Sequence, residues 1–180
     1  MGFRDDQEIL NMMLSPASRN EGYRHLVSKY KEKLYWHIRR MVTEHEDADD
    51  VLQNTFLKVV KNIDHFKSQS SLYTWLYRIA SNESLNFIQS RKNKSFVSLD
   101  SRIQYGGSVE GNIDGDLILN KLAKAIESLP DKQKLVFNLR YYDEMPYHSM
   151  AEVTDTSVGA LKASYHHAVK KIEEYLKADI

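Results

Sequence analysis

"MPYHSMAEVTDTSVGALKASYHHAVKKIEEYL", Met145 to Leu176, carries two helical patterns separated by a short polar break. Met150, Ala151 and Val153 supply the apolar side of the first, expected over 146–153. Ala151 is small, as a close helix crossing requires. The second helix is expected over 157–177, with Ser157 as its N-cap. At 100° per residue, Leu161, Tyr165, Ala168, Ile172 and Leu176 share one face of it. Helix, short turn and longer helix make the helix-turn-helix layout. The opposite face carries Gly159, Ala163, His166, His167 and Lys170, and residues 157–172 include Lys162, Lys170 and Lys171 with no acid. Small residues let a backbone come close and lysines neutralise phosphates, so this face suits a duplex major groove. A plain helical hairpin with a solvated lysine face is the alternative.

The rest of the chain is helical by the same reading. Its 180 residues include only seven glycines and three prolines. Residues 20–92 contain one glycine, Gly22, and no proline. Residues 95–115, "SFVSLDSRIQYGGSVEGNIDG", hold four glycines and four serines with little periodicity, which is linker composition. The fold class is therefore all-α: two small helical domains, 1–94 and 116–180, joined by a flexible linker at 95–115, the C-terminal one a helix-turn-helix. Helices are expected over 5–14, 20–42, 46–63 and 71–92, then 116–128, 131–141, 146–153 and 157–177. Pro130 stops the fifth.

Formal net charge is zero, so any polyanion binding must come from local charge segregation. The absence of cysteine removes disulfides, thiolate metal sites and a cysteine nucleophile. The opening "MGFRDDQEILNMM" has no apolar run flanked by positive charge, and no segment approaches a membrane span. A cytoplasmic protein without membrane insertion is expected. HExxH, P-loop, GxGxxG and GxSxG motifs are missing, and the adjacent His166-His167 would be an awkward metal pair. No catalytic residue, metal or cofactor is expected, and no enzymatic activity.

Two further surfaces stand out. In "DADDVLQNTFLKVVKNI", Asp47 to Ile63, the residues Leu52, Thr55, Phe56, Val59 and Ile63 fall on the core side of a helix. Asp50, Gln53, Asn54, Leu57 and Lys61 fall opposite, so Leu57 interrupts a polar face. This is either an ordinary solvated face with one stray leucine or a protein-docking face anchored by Leu57. In "HFKSQSSLYTWLYRIASN", His65 to Asn82, a polar run precedes Tyr73, Trp75 and Tyr77. Leu72, Trp75, Leu76, Ile79 and Phe87 form the buried stripe, with Tyr73 at its margin and Tyr77, Ser81 and Ile88 well off it. Arg78 and Asn82 flank the other side. Residues 64–94 carry Lys67, Arg78, Arg91, Lys92 and Lys94 against Asp64 and Glu83. Rings beside cations suit single-stranded nucleic acid, in which bases stack on aromatic faces; core packing is the alternative for Trp75 and Tyr73.

These surfaces, in this order and across this linker, resemble the sigma factors of bacterial RNA polymerase, sigma-70 family, extracytoplasmic-function (ECF) group. The resemblance implies that Asp50, Gln53, Asn54, Leu57 and Lys61 dock on core polymerase, at its β′ coiled coil, with the β subunit also in contact. It implies that Phe66, Lys67, Ser68, Gln69, Tyr73, Trp75, Tyr77, Arg78, Asn82, Asn86, Arg91 and Lys92 melt and read the promoter −10 element, the polar loop holding an extruded base. It assigns −35 reading to Ser157, Gly159, Ala160, Lys162, Ala163, His166, His167 and Lys170. It also implies an anti-sigma factor as partner beside promoter DNA. The chain departs from the family pattern at Ser164 and His167, where arginines are usual, at Thr154-Asp155 in place of Leu-Gly, and at Asn86 in place of an acid. A helix-turn-helix repressor or activator acting without polymerase, or a helical adaptor, would leave the Leu57 face or the aromatic loop idle.

Overall fold

The computed structural model describes residues 5–66, 70–97 and 115–178. Their regular structure is entirely helical: α1 (Asp6–Leu14), α2 (Arg19–Val42), α3 (His45–Asn62), a 3₁₀ turn (Ile63–His65), α4 (Leu72–Val97), α5 (Gly115–Glu127), α6 (Asp131–Tyr141), α7 (Tyr147–Thr154) and α8 (Val158–Lys177). The expected helices are all present, and α4 runs on to Val97, beyond the expected end at 92. Most of the expected linker lies outside the described residues.

In the N-terminal bundle α2, α3 and α4 pack mutually through Leu26, Leu34, Ile38, Leu52, Val59, Ile63 and Leu76, all buried. Each such side chain contributes about 1.5–3 kcal/mol by leaving water. The N-terminus of α3 carries Glu46 and Asp47, where negative charge suits the helix dipole. The α1 helix lies so close to α2 that a Cβ added at Gly22 would stand 2.7 Å from the Met13 backbone nitrogen.

In the C-terminal bundle α5, α6 and α8 enclose Ala125, Ile126, Leu129, Phe137, Ala168 and Ile172. The turn between α7 and α8 is made by Asp155, in the left-handed region at φ 52° and ψ 44°. This is the second residue of the Thr154-Asp155 pair, where the sequence pattern of the family has glycine. Aspartate is among the few side chains that enter this region at modest cost, so the turn survives the exchange. Ser157 then caps α8 as expected, its Oγ accepting the Ala160 N–H at 3.3 Å.

The two bundles touch. The α6 helix rests on α2 and α7 on α4, and one continuous apolar cluster runs from Ile9 in α1 to Leu161 in α8.

Candidate nucleic-acid interface

The outer face of α3 is fully displayed. Asp50, Gln53, Asn54, Leu57 and Lys61 are all exposed, while Leu52, Thr55, Val59 and Ile63 are buried behind them. Leu57 keeps 56% of its surface in water. Val60, one turn further on, is 45% exposed and extends the apolar patch; its spacing of three from Leu57 is a signal the sequence reading passed over. Lys58 is exposed and reaches across the surface to α4, its Nζ 2.5 Å from Glu83 Oε1.

Between α3 and α4 the chain turns at Ile63–His65, and Phe66 follows with its N–H bonded to the Ile63 carbonyl. The Phe66 ring packs on Trp75, centroids 5.0 Å apart, which anchors the near end of the loop to α4. Lys67, Ser68 and Gln69 lie outside the described residues. At the far end Ser71 caps α4: its Oγ accepts the Thr74 N–H at 3.1 Å and lies 2.9 Å from Thr74 Oγ1. A polar run therefore breaks the helix because serine competes for the backbone donors that open the next one.

Over residues 72–88 of α4 the exposed residues are Arg78, Asn82 and Asn86, spaced by four and so stacked on one line. Tyr73 is half-buried, as its place at the margin of the stripe predicts, and Trp75, expected in the buried stripe, is half-buried too. Tyr77 is not where the periodicity put it. It is only 2% exposed, and its ring lies 4.5 Å from Tyr73 and 4.9 Å from His37. Ser81, also expected off the stripe, is buried too. The reason is that α4 packs against α2, α3 and α7, and both Tyr77 and Ser81 meet His37 of α2. Burial, reinforced by the Asp143 carboxylate, pushes the Tyr77 hydroxyl well above the usual tyrosine range, so it stays neutral. Arg91 and Lys92 have acidic partners already: Arg91 pairs with Asp47, and Lys92 Nζ stands 2.5 Å from Asp131 Oδ2.

The outer face of α8 is open. Ser157, Gly159, Ala160, Lys162, Ala163, His166, His167 and Lys170 are all exposed, and a Cβ added at Gly159 would meet nothing within 4 Å. The first two turns thus present a nearly bare backbone, followed by two imidazoles and a lysine. Lys162 and Arg140 both stand over the Tyr147 ring, at 5.8 and 5.1 Å, which steers the Lys162 head back across the turn. Lys171 is exposed and reaches across to α6, its Nζ 3.0 Å from Gln133 Oε1. Leu161, Ala168 and Ile172 are buried, with Tyr165 and Leu176 partly so. No helix among the described residues is long and apolar enough to cross a membrane.

Two family models match the chain, Sigma-70 region 2 at residues 26–94 and Sigma-70 region 4 at residues 119–172. The first takes in most of α2, all of α3, the loop and most of α4; the second takes in most of α5, all of α6 and α7, and most of α8. Among similar proteins, the ECF RNA polymerase sigma-E factor of Escherichia coli K12 is 30% identical over 160 residues, covering 82% of this chain and 83% of its own. The ECF RNA polymerase sigma factor SigW of Bacillus subtilis is 27% identical over 168 residues, covering 87% and 90%. Two solved structures share the fold. One is CnrH in complex with the cytosolic domain of CnrY, with TM-score 0.73, 21% identity and coverage of 97% and 99%. The other is RpoE with the anti-sigma factor NepR from Bartonella quintana, with TM-score 0.72, 23% identity and coverage of 88% and 98%.

Proposed function

The chain belongs to the ECF group of the sigma-70 family, so it binds core RNA polymerase and directs promoter-specific initiation, and from that premise we propose which of its surfaces does what. Residues 1–94 hold core enzyme and open the −10 element; residues 116–180 read the −35 element; the segment between joins them. Asp50, Gln53, Asn54, Leu57 and Lys61 form the polymerase contact, with Leu57 as anchor. The observation that carries this is the display of Leu57 in the middle of a polar helix face. A repressor acting on DNA alone has no use for that face. Val60 belongs to the same patch.

The −10 element meets the exposed line of Arg78, Asn82 and Asn86 together with the loop from Phe66 to Ser71, where Lys67, Ser68 and Gln69 would hold an unstacked base. Phe66 and Trp75 set the wall of that site. Arg91 and Lys92 lie at the duplex edge and exchange their carboxylates for phosphate. On α8, Gly159, Ala160 and Ala163 allow the backbone close to the groove, Ser157 caps the helix at the phosphates, and His166, His167, Lys162 and Lys170 surround the approach. The chain acts by binding alone, without catalysis of its own and without a cofactor, and it works in the cytoplasm. An anti-sigma factor is a partner, in keeping with the complexes of its structural neighbours.

The test is run-off transcription with core polymerase over a genomic DNA library. Start sites that share two upstream motifs support the reading. No start sites above those of core enzyme alone, from a folded protein, would remove it.

A further inference from the structure

We propose that His166 and His167 form a proton-linked phosphate site on α8, so that the chain takes up protons as it binds duplex DNA and binds it more tightly as the pH falls.

The site is a pair of imidazoles in a cationic frame. Both side chains are exposed, and their ring centroids lie 6.0 Å apart with the planes at 59°. Beyond that ring contact, neither has a hydrogen bond or an ion pair with another described residue. Steps of 100° per residue put the two rings on either side of the line that carries Gly159, Ala163 and Lys170. A duplex laid along that bare line therefore has an imidazole on each flank.

The surrounding charges leave an anion's place to be taken. On α8 itself, Lys162 and Lys170 stand one turn before and after His166, and Lys170 and Lys171 one turn after His167. The Lys162 head lies over the Tyr147 ring, Lys171 meets Gln133 of α6, and Lys170 stands 4.0 Å from Glu174. Glu173 and Glu174 follow the pair by two turns. The helices packed on α8 are α5, α6 and α7. From α5 comes Lys121, bonded to the Leu176 carbonyl at 2.8 Å; from α6 comes Arg140, over Tyr147 at 5.1 Å. His148 and Glu152 of α7, and Asp155 of the turn, are exposed and pair with neither imidazole. A bound phosphate would thus be the first anion that either ring meets.

The lysines supply a fixed charge and the imidazoles a conditional one. An imidazole in water gains its proton near roughly pH 6.5, and a neighbouring anion favours the protonated form. The complex with phosphate then holds protons that the free chain lacks. Linkage fixes the sign: because the bound state carries more protons, affinity rises as the pH falls, and levels off once both states are protonated. Each phosphate neutralised also releases counterions, so the salt dependence steepens with the same protonation. Phosphate carries no sequence information, so the effect is the same on any duplex.

The inference rests on the placement of α8 on DNA, and the experiment separates the two. The full chain is titrated into fluorescein-labelled duplex DNA of mixed sequence and followed by anisotropy, with circular dichroism confirming the fold at each pH. Affinity should rise about tenfold or more from about pH 8 to about pH 5.5. The salt slope should steepen by about 0.9 for each imidazole that takes a phosphate. Calorimetry in buffers of different ionisation heat should show net proton uptake on binding. Replacing both rings, His166→Gln with His167→Gln, should cut the pH response to less than about twofold and abolish the uptake. Arginine carries its charge at every pH, so His166→Arg with His167→Arg should bind within about twofold at both ends of the range. A parent affinity that is flat with pH overturns the proposal, as does a rise that the double glutamine variant retains. Flat binding that Lys170→Ala still weakens strikes this inference alone. Absent binding, or binding that neither Lys170 nor the histidines affect, strikes the placement of α8 on DNA and this inference with it.

Discussion

Replacing Leu57 separates the polymerase contact from the fold. The side chain is 56% exposed, so its truncation removes little native packing, and Leu57→Ala should change stability by less than about 0.5 kcal/mol. Full burial of a leucine is worth about 1.5–3 kcal/mol. If the polymerase covers the exposed part, roughly half of that, about 1–1.5 kcal/mol, is available to binding. Leu57→Ala should then weaken core affinity about five- to tenfold, since 1.4 kcal/mol is a factor of ten. Leu57→Asp removes the same contact and places a carboxylate in the desolvated centre, adding about 2 kcal/mol or more. The combined loss is several hundredfold, enough to abolish co-purification. The assay is fluorescence anisotropy of labelled protein titrated with core enzyme, with circular dichroism melts as the folding control. A folded Leu57→Asp protein that binds core within twofold of the parent would refute the assignment, and with it the use of exposed leucine on a polar face as the guide to this surface.

Other positions give independent tests. Gly22→Ala should destabilise by about 1–3 kcal/mol, read as a lowered melting temperature, because the new methyl meets Met13 backbone at 2.7 Å. Gly159→Ala should do the reverse, stabilising the helix by about 0.5–1 kcal/mol because its Cβ enters open space; duplex affinity unchanged by the added methyl would show that DNA does not approach there. Asp155→Val should cost about 1–2 kcal/mol in denaturant unfolding, since a β-branched residue is strained at φ 52°, whereas Asp155→Gly should be tolerated. Lys170→Ala should weaken duplex binding similarly across sequences and lower the salt slope by about 0.9 in a salt series; an unchanged slope would take Lys170 off the phosphates.

The helices were legible because each obeys local rules. Scarce glycine and proline, apolar positions at 3.6-residue spacing, and a polar cap at Ser157 state where helices run without reference to anything distant. Leu57 was legible for the same reason, since a single helix wheel sets it apart from the polar residues around it. Tyr77 was not. A helix wheel assumes one buried face, and on that assumption Tyr77 belongs in solvent. Its ring packs against His37 of α2, and the Asp143 carboxylate of the α6–α7 turn, more than sixty positions away, bears on its hydroxyl. His37 and Asp143 were passed over for the same reason: neither belongs to a motif, and each is explained only by the other. A histidine amid an apolar stripe and an acid in a turn look like unrelated polar residues until the two bundles meet. The misplacements of Tyr77 and Ser81 gather around His37, where α2, α4 and the α6–α7 turn meet, an encounter no single helix wheel can show. The same reasoning moves Tyr77 from the DNA-facing set to the packed interior: its ring lies against Tyr73 of its own helix and His37 of α2, neighbours that a single helix wheel does not show.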